Sequence, residues 1–347
     1  MRKKPLDHIL LGDGITCDFD MRFANYIKEI AKPERHTHPL TPDQAYRLYS
    51  AMLDGGVPDM ELGGILLALH MKNESLAELC SFYRAVQQRL YCLVPTTDNV
   101  RTVVIPTYNG ARNHANLLPL VALLLARFRV PVLIHGTLDG HGRIASAYIF
   151  RELGIMPCLS LDQAQQHLHT EGLAFVPTAV LSPGLNNLLA LRNRLGVRNT
   201  AHILVNLIDP MGGEGLCVAN GENAEQVAVL RGFFQATQGN AVLLRGTEGE
   251  AFANPTRRPQ LEYLNKGVSE VLFEAEANPQ RVLSYLPQST AAPATALWIK
   301  QVLKGDVPLP LPIANQLATL LYASAYTEDI NQAKAIVALE TNCLAVA

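Results

Sequence analysis

The stretch that most constrains this chain runs from residue 103 to residue 147. An apolar β-branched run at 103–105 passes through Pro106, Thr107, Tyr108, Asn109 and Gly110 into an apolar helical pattern at about 113–128. A second β-type run at 130–134 ends in His135, Gly136 and a glycine-rich loop before another helix. Strand, loop, helix, strand, loop, helix predicts parallel pairing, because parallel neighbours need a crossover long enough to hold a helix. Both loops then leave the carboxyl ends of their strands, so 107–112 and 135–143 are expected to face one crevice. Backbone amides in such loops, aimed by the following helix N-terminus, attract phosphate without a particular side chain. The glycines alone do not separate that role from two ordinary strand-to-helix turns.

Around this stretch the chain divides into a helical start and an α/β remainder. A helix is expected at 19–30. Another starts at Thr41, where an N-cap hydroxyl, Pro42 at the first helical position and Gln44 at the capping-box position coincide; Gly55 and Gly56 stop it. Asp59 is expected to precede a compact apolar helix from Met60, in which Gly63 and Gly64 would let a neighbouring backbone approach, and Ser75 with Glu78 makes a second capping box. Further helices are expected at 143–153, 161–169 and 223–234, strands at 173–176, 215–219 and 241–244, and three closing helices after about residue 290 that would cover the second face of the sheet.

With 347 residues and 48% apolar content the chain can bury a large core and is expected to form two subdomains. No apolar run approaches membrane-spanning length, and Asp7 and Asp13 interrupt the basic N-terminus, which reads as mature protein and not as a signal segment. Six cysteines, Cys17, Cys80, Cys92, Cys158, Cys217 and Cys343, form no CxxC pair and fit a reducing cytoplasm. The alternating pairs His36/His38 and His167/His169 lack the cysteine or carboxylate company of a metal site.

The central stretch resembles the anthranilate phosphoribosyltransferase family (glycosyl transferase family 3, akin to the class II nucleoside phosphorylases). That family's first loop reads Gly-Thr-Gly-Gly-Asp, its next helix opens Asn-Ile-Ser-Thr, and its second loop reads Lys-His-Gly-Asn-Arg. Aligned without gaps, this chain has Pro106-Thr107-Tyr108-Asn109-Gly110, Asn116-Leu117-Leu118-Pro119 and Ile134-His135-Gly136-Thr137-Leu138. The resemblance implies an α/β phosphoribosyltransferase (nucleoside phosphorylase/phosphoribosyltransferase) fold: an N-terminal all-helical subdomain plus a mostly parallel sheet flanked by helices. It divides the chain into an N-terminal helical domain at 1–95, which makes the homodimer contact in the family, and a catalytic-type α/β domain at 96–347. It also marks Thr107, Asn109, Gly110, Asn116, His135, Gly136, Arg143 and Arg192 as the phosphate and substrate positions. Arg192 stands where the family's arginine reaches the aromatic acid, and a guanidinium there can pair with any carboxylate or phosphate.

The departures from the pattern point one way. Leu118 and Pro119 replace the hydroxyls that hold pyrophosphate and magnesium, Ile134 replaces the lysine, and Tyr108 puts a ring where a glycine admits the ligand. In the element after residue 244, Arg245-Gly246-Thr247-Glu248-Gly249-Glu250-Ala251-Phe252, Glu250 takes the first acidic place and Ala251 leaves the second empty. Hard cations want oxygen ligands, so Glu250 is a weak metal candidate; no cofactor is expected, and Mg2+ only if the chain is an active enzyme.

Two readings stay open. In one, the chain is an active phosphoribosyltransferase that moves phosphoribose from phosphoribosyl pyrophosphate to anthranilate or another aromatic amine. In the other, it resembles the YbiB-type branch of the family, outside tryptophan synthesis, and is a dimeric cytoplasmic protein that binds nucleic acid, single-stranded DNA in particular. Charge placement favours the second. Net charge is −2, yet no acidic residue occurs at 99–138, which holds Arg101, Arg112, Arg127 and Arg129, or at 172–208, which holds Arg192, Arg194 and Arg198. Arg112, Arg192, Arg245, Arg257, Arg258 and Lys266 are the expected nucleic-acid contacts, grouped around the crevice. Tyr108 then either stacks on a base or plugs the vacated substrate cavity.

Overall fold

A computed structural model describes residues 23–32, 38–96, 99–140, 142–277 and 282–341. The expectations for Cys17, Cys343, His36 and the extreme N-terminus lie outside these residues. Four helices come first: α1 (Phe23–Ile30), α2 (Pro42–Leu53), α3 (Asp59–Lys72) and α4 (Leu76–Gln87). Then follow β1 (Val103–Thr107), α5 (Leu118–Arg127), β2 (Val132–Gly136), α6 (Ser146–Glu152), α7 (Leu161–Thr170) and β3 (Leu173–Pro177). Short helices α8 (Thr178–Leu181), α9 (Pro183–Ala190), α10 (Arg192–Leu195) and α11 (Ala201–Leu204) lead to β4 (Leu216–Gly221), α12 (Ala224–Thr237) and β5 (Ala241–Arg245). A hairpin, β6 (Leu261–Asn265) and β7 (Val268–Phe273), precedes α13 (Ala292–Lys304), α14 (Leu311–Ala323) and α15 (Ile330–Glu340).

Local chemistry sets several of these boundaries. Both capping boxes form: Thr41 with Gln44 on α2, and Ser75 with Glu78 on α4. Glu78 is fully buried and also accepts from Leu40 N and from Lys72 Nζ, so one carboxylate ties the loop before α2 to the ends of α3 and α4. Asp59 is itself the first residue of α3, after Pro58 at the N-cap, and Gly63 and Gly64 face the side chains of Leu195 and Ile27, not a neighbouring backbone.

The sheet order is β3-β2-β1-β4-β5-β6-β7, with β1 to β5 parallel and β6 and β7 antiparallel at one edge. β1, β2 and β3 are buried along their whole length, as strands covered on both faces must be. Alternation divides β1 between two cores. Val104 joins the core shared with α2, α3, α4, α9 and α12, whereas Val103 and Ile105 join the one shared with α5, α13 and α14. The closing helices therefore cover the second face, as expected. Among the described residues no helix is long and apolar enough to cross a membrane.

Three boundaries differ from expectation. The helix after β1 begins at Leu118 and not near 113, and the helix after β2 begins at Ser146 and not at 143; in both, the polar residues before the helix belong to loops held by long-range hydrogen bonds. Residues 241–244 are not the last strand. Leu261–Asn265 is a further strand, buried over its first four residues, and turns through Lys266 and Gly267, both with positive φ, into the exposed β7. The chain goes β1, β2, β3 outward on one side and then returns to lay β4 on the other side of β1. The carboxyl ends of β1 and β4 thus flank a topological switch point, where open α/β sheets form crevices.

Candidate functional site

The two loops predicted to share a crevice do meet. Ala111 and Ile144 form an antiparallel bridge, and the Thr137 amide donates to the Thr107 carbonyl. Gly136 is needed for this approach, because a Cβ there would lie 1.5 Å from the Thr107 oxygen. What occupies the meeting point is a turn that follows β5. Thr247 and Glu250 bridge across it, with Glu248 and Gly249 in the left-handed region at φ 53 and 82.

That turn aims two carboxylates at the loops. Glu250 is fully buried and accepts from Thr107 Oγ1 (2.6 Å), Asn109 N (2.8 Å) and Gly110 N (2.7 Å). Ser146 Oγ lies 3.3 Å from the same carboxylate and 2.8 Å from Thr107 Oγ1, and it accepts from Asn116 Nδ2 (2.9 Å). Burial pushes the Glu250 carboxyl up, against the pull of the donors around it. Glu248 accepts from three successive amides, Arg112 N (2.9 Å), Asn113 N (2.9 Å) and His114 N (2.8 Å). The His114 ring (2.8 Å) and the Arg143 guanidinium (3.2 Å) add to them. Burial raises the Glu248 carboxyl, but these donors outweigh it and hold the group below its ordinary value.

A second group of polar contacts flanks the first. Asn109 Oδ1 accepts from Arg198 (2.6 Å) and from Arg192 (3.3 Å), and Arg198 pairs with Glu222 at 2.7 Å. Burial, with Arg198 and Arg143 close by, lowers the Arg192 guanidinium. Tyr108 is turned inward and buried, its hydroxyl 2.6 Å from Asn206 Nδ2 and its ring edge-on to His202. The ring lies inside the fold, where it lines a cavity of about 520 Å³ with Arg198, His202 and Asn206, and does not stand at the loop mouth. His135 is buried without a partner for Nδ1, and burial pushes its pKa down to about 3.

Beside the filled loops lies a cleft of about 760 Å³, lined by Arg143, Arg245, Arg257 and Arg258 together with His114, Arg231, Glu222, Glu248 and Glu276. Arg245 and Arg257 are exposed and are steered by backbone carbonyls, Arg245 by Glu222 O (2.8 Å) and Arg257 by Glu276 O (3.0 Å). Arg258 lies 3.9 Å from the Glu276 carboxylate and over the Phe273 ring.

Thr107, Asn109, Gly110, Asn116, Arg143 and Arg192 therefore converge, with His135 and Gly136 against them; Arg245, Arg257 and Arg258 share the adjoining cleft. Arg112 contributes its amide to the Glu248 contact and leaves its side chain exposed. Lys266 does not join them. Antiparallel β6 pairs Leu261 with Leu244 and Leu264 with Ala241, so the turn after Asn265 emerges at the amino end of the parallel strands, opposite the crevice. Arg101, Arg127 and Arg129 precede β1 and β2 and lie at that same far end. Sequence reading assigned no role to Glu248, Ser146 or Asn206, and it counted Arg198 only among the positive charges near the crevice. A legible signal existed for Glu248 alone, in its spacing from Glu250 across a glycine.

Known proteins share both the helical start and the whole fold. Residues 25–90 match the glycosyl transferase family helical bundle domain. The uncharacterized protein YbiB of Escherichia coli K12 is 39% identical over 312 residues, which cover 90% of this chain and 97% of that protein. The anthranilate phosphoribosyltransferase of Methanosarcina barkeri is 24% identical over 302 residues, covering 85% and 81% of the two chains. Among solved structures, anthranilate phosphoribosyltransferase from Thermus thermophilus superposes with a TM-score of 0.74 at 20% identity, over 92% of this chain and 94% of that one. The Saccharomyces cerevisiae enzyme in complex with PRPP and Mg gives 0.69 at 13% identity, over 92% and 93%.

Proposed function

This chain belongs to the anthranilate phosphoribosyltransferase-like glycosyl transferase family, in the branch that contains YbiB, and from that premise we propose that it is a non-catalytic member that binds single-stranded nucleic acid as a homodimer. The observation that carries this reading is the pairing of a loop site filled by its own glutamates with an arginine-lined cleft next to it. A transferred phosphoribosyl group needs electrostatic stabilisation of its departing diphosphate. Here the amides suited to that task already hold Glu250 and Glu248.

Magnesium does not fit these residues either. Glu250 is sealed from solvent with one oxygen taken by the Asn109 and Gly110 amides, and Leu118, Pro119 and Ala251 offer no side-chain oxygen, so a single buried carboxylate stands where a hard cation needs several oxygen ligands. Among the described residues no group of three or more His, Cys, Asp or Glu is arranged to hold a metal.

In the cleft, Arg143, Arg245, Arg257 and Arg258 present planar guanidiniums suited to phosphate oxygens. A second copy extends the track. Met60, Leu67 and Met71 are exposed on one face of α3, seven and four residues apart, and form the apolar seat for it. Dispersed cysteines support a cytoplasmic setting for this activity.

The test is fluorescence anisotropy with a labelled single-stranded oligonucleotide across a salt series. Each lost phosphate contact lowers the slope of log affinity against log salt by about 0.7 for a single strand, so Arg257→Ala with Arg258→Ala is expected to weaken binding and flatten the slope by about 1.4. Unchanged affinity and slope would remove the electrostatic basis of the reading. Magnesium-dependent phosphoribosyl transfer to anthranilate, observed with purified protein, would favour the enzymatic alternative instead.

A further inference from the structure

Beside the arginine cleft lies a smaller cavity of about 220 Å³, and the two share His114. The loop after Phe252 runs between them, so that of two consecutive residues Asn254 lines the cleft and Pro255 the cavity. Their linings differ in kind. Arginines and glutamates wall the cleft, whereas among the described residues that line the cavity there is no Asp, Glu, Lys or Arg. Its apolar sides are Leu117, Pro255, Leu286 and Pro287, and Asn113, His114 and Ser289 bring polar groups to it.

These polar groups have hydrogen-bonding capacity to spare. Asn113 gives its backbone amide to Glu248, while its carboxamide, a donor and an acceptor side by side, bonds to no described residue. The Glu248 carboxylate can only accept, so the hydrogen it shares with His114 sits on Nδ1, and the neutral ring keeps Nε2 as an acceptor. Ser289 Oγ accepts from the Ala291 amide at 3.2 Å, which leaves its hydroxyl hydrogen to donate. The walls are held in place. Trp298, buried on α13, donates Nε1–H to the Tyr285 carbonyl at 2.6 Å and pins the turn that carries Leu286 and Pro287, and Leu117 is buried at the N-cap of α5. At about 220 Å³ the cavity is below the ~300–1,000 Å³ of pockets for drug-sized molecules and suits a single flat heterocycle.

We propose that this cavity is a nucleobase pocket: a strand whose phosphates lie along the arginine cleft turns one unpaired base into it, between the apolar side chains, with the base's polar edge on Asn113, His114 and Ser289. A hollow with apolar sides, no permanent charge and a few donors and acceptors recognises a neutral planar group with a hydrogen-bonding edge, not a phosphate. A base engaged in a duplex cannot enter, so the pocket, and not the arginines, sets the preference for single strands. The Glu248 contact stays closed throughout and orients His114. The inference rests on the nucleic-acid reading for the strand that delivers the base; the fit to a free nucleoside does not depend on it.

The experiment uses the full chain as wild type, Asn113→Ala and Ser289→Trp, the last of which puts an indole into the cavity. Asn113 and Ser289 are exposed, so neither change disturbs the core. The probes are a labelled single-stranded oligo-dA, the same strand with its bases removed, and free adenosine followed through the amide shifts of 15N-labelled protein. The wild type is expected to bind the base-bearing strand about tenfold more tightly than the abasic one, the effect of one well-held base. Both variants are expected to lose most of that difference and to bind the abasic strand as the wild type does. Their slope of log affinity against log salt is expected to keep its wild-type value, because no phosphate contact is removed. Adenosine is expected to give saturable shifts of the Asn113, His114 and Ser289 amides in the wild type and none in Ser289→Trp. Equal affinity of the wild type for the two strands overturns the proposal. So does an equal loss on both strands in the variants, which reduces them to general defects. If neither strand binds, adenosine decides: saturable shifts sink the nucleic-acid reading and leave the pocket as a nucleoside site, and their absence sinks both.

Discussion

At the scale of single residues, the crevice is decided by where two carboxylates and one imidazole are placed. Glu250 satisfies two loop amides and a threonine hydroxyl that would otherwise be buried without partners. His135, by contrast, is buried with an unpartnered ring nitrogen and stays neutral until about pH 3. In the unfolded chain the same imidazole takes a proton near pH 6.5, so between 6.5 and about 3 each added proton favours unfolding. Stability from this residue is present above pH 6.5 and is lost as pH falls. Glu250 works in the opposite direction, because its carboxyl is pushed up by burial and its contribution weakens as pH rises. Urea denaturation of His135→Gln at several pH values is expected to show a shallower acid-side decline than the wild type; parallel declines would mean that the imidazole is protonated in the folded protein.

At the scale of elements, glycines at contacts have distinct roles. The sequence marked Gly63 and Gly64 for close backbone approach, yet the tight approach is at Gly184 near the start of α9, where a Cβ would lie 2.3 Å from the Leu53 carbonyl at the end of α2. Gly232, in the middle of α12, meets only the Leu76 side chain, at 3.8 Å. Gly184→Ala is therefore expected to force α9 away from α2 and cost about 1–3 kcal/mol in urea unfolding. Gly232→Ala is expected to gain about 0.5–1 kcal/mol from helix propensity. Equal responses would show that the α2–α9 contact yields to a methyl group. The capping boxes on α2 and α4 were legible in the sequence because their geometry is local; the Leu53–Gly184 approach was not, because its partners are 131 positions apart (184 − 53).

For the molecule as a whole, the apolar face of α3 sets the expected assembly. Met60 is 82% exposed and Met71 76%, values that a monomer in water gains nothing from. Leu67→Glu combined with Met71→Glu is expected to convert a dimer to monomers in sedimentation equilibrium with the fold intact. A wild-type monomer at micromolar concentration would instead disconnect this face from self-association. A dimer would set two arginine clefts on one particle, and its loss should then weaken binding to long oligonucleotides more than to short ones.

By itself the sequence determined the helical start, the alternation of strands and helices around β1 to β5, the closing helices over the sheet's second face and the family frame, since these follow from local periodicity, caps and short motifs in register. It also determined that hydroxyls and a lysine are missing from the loops. Only the tertiary structure decided which charges share a surface: it brought Arg143, Arg245, Arg257 and Arg258 into one cleft and sent Lys266 and Arg101 to the far end of the sheet. It also delivered Glu248 and Glu250, more than 130 positions along the chain, into the amides of the first loop. The physical reason is that hydrophobic periodicity reports which face of an element is buried, whereas a polar side chain's partner depends on strand order and crossover, which no local pattern encodes.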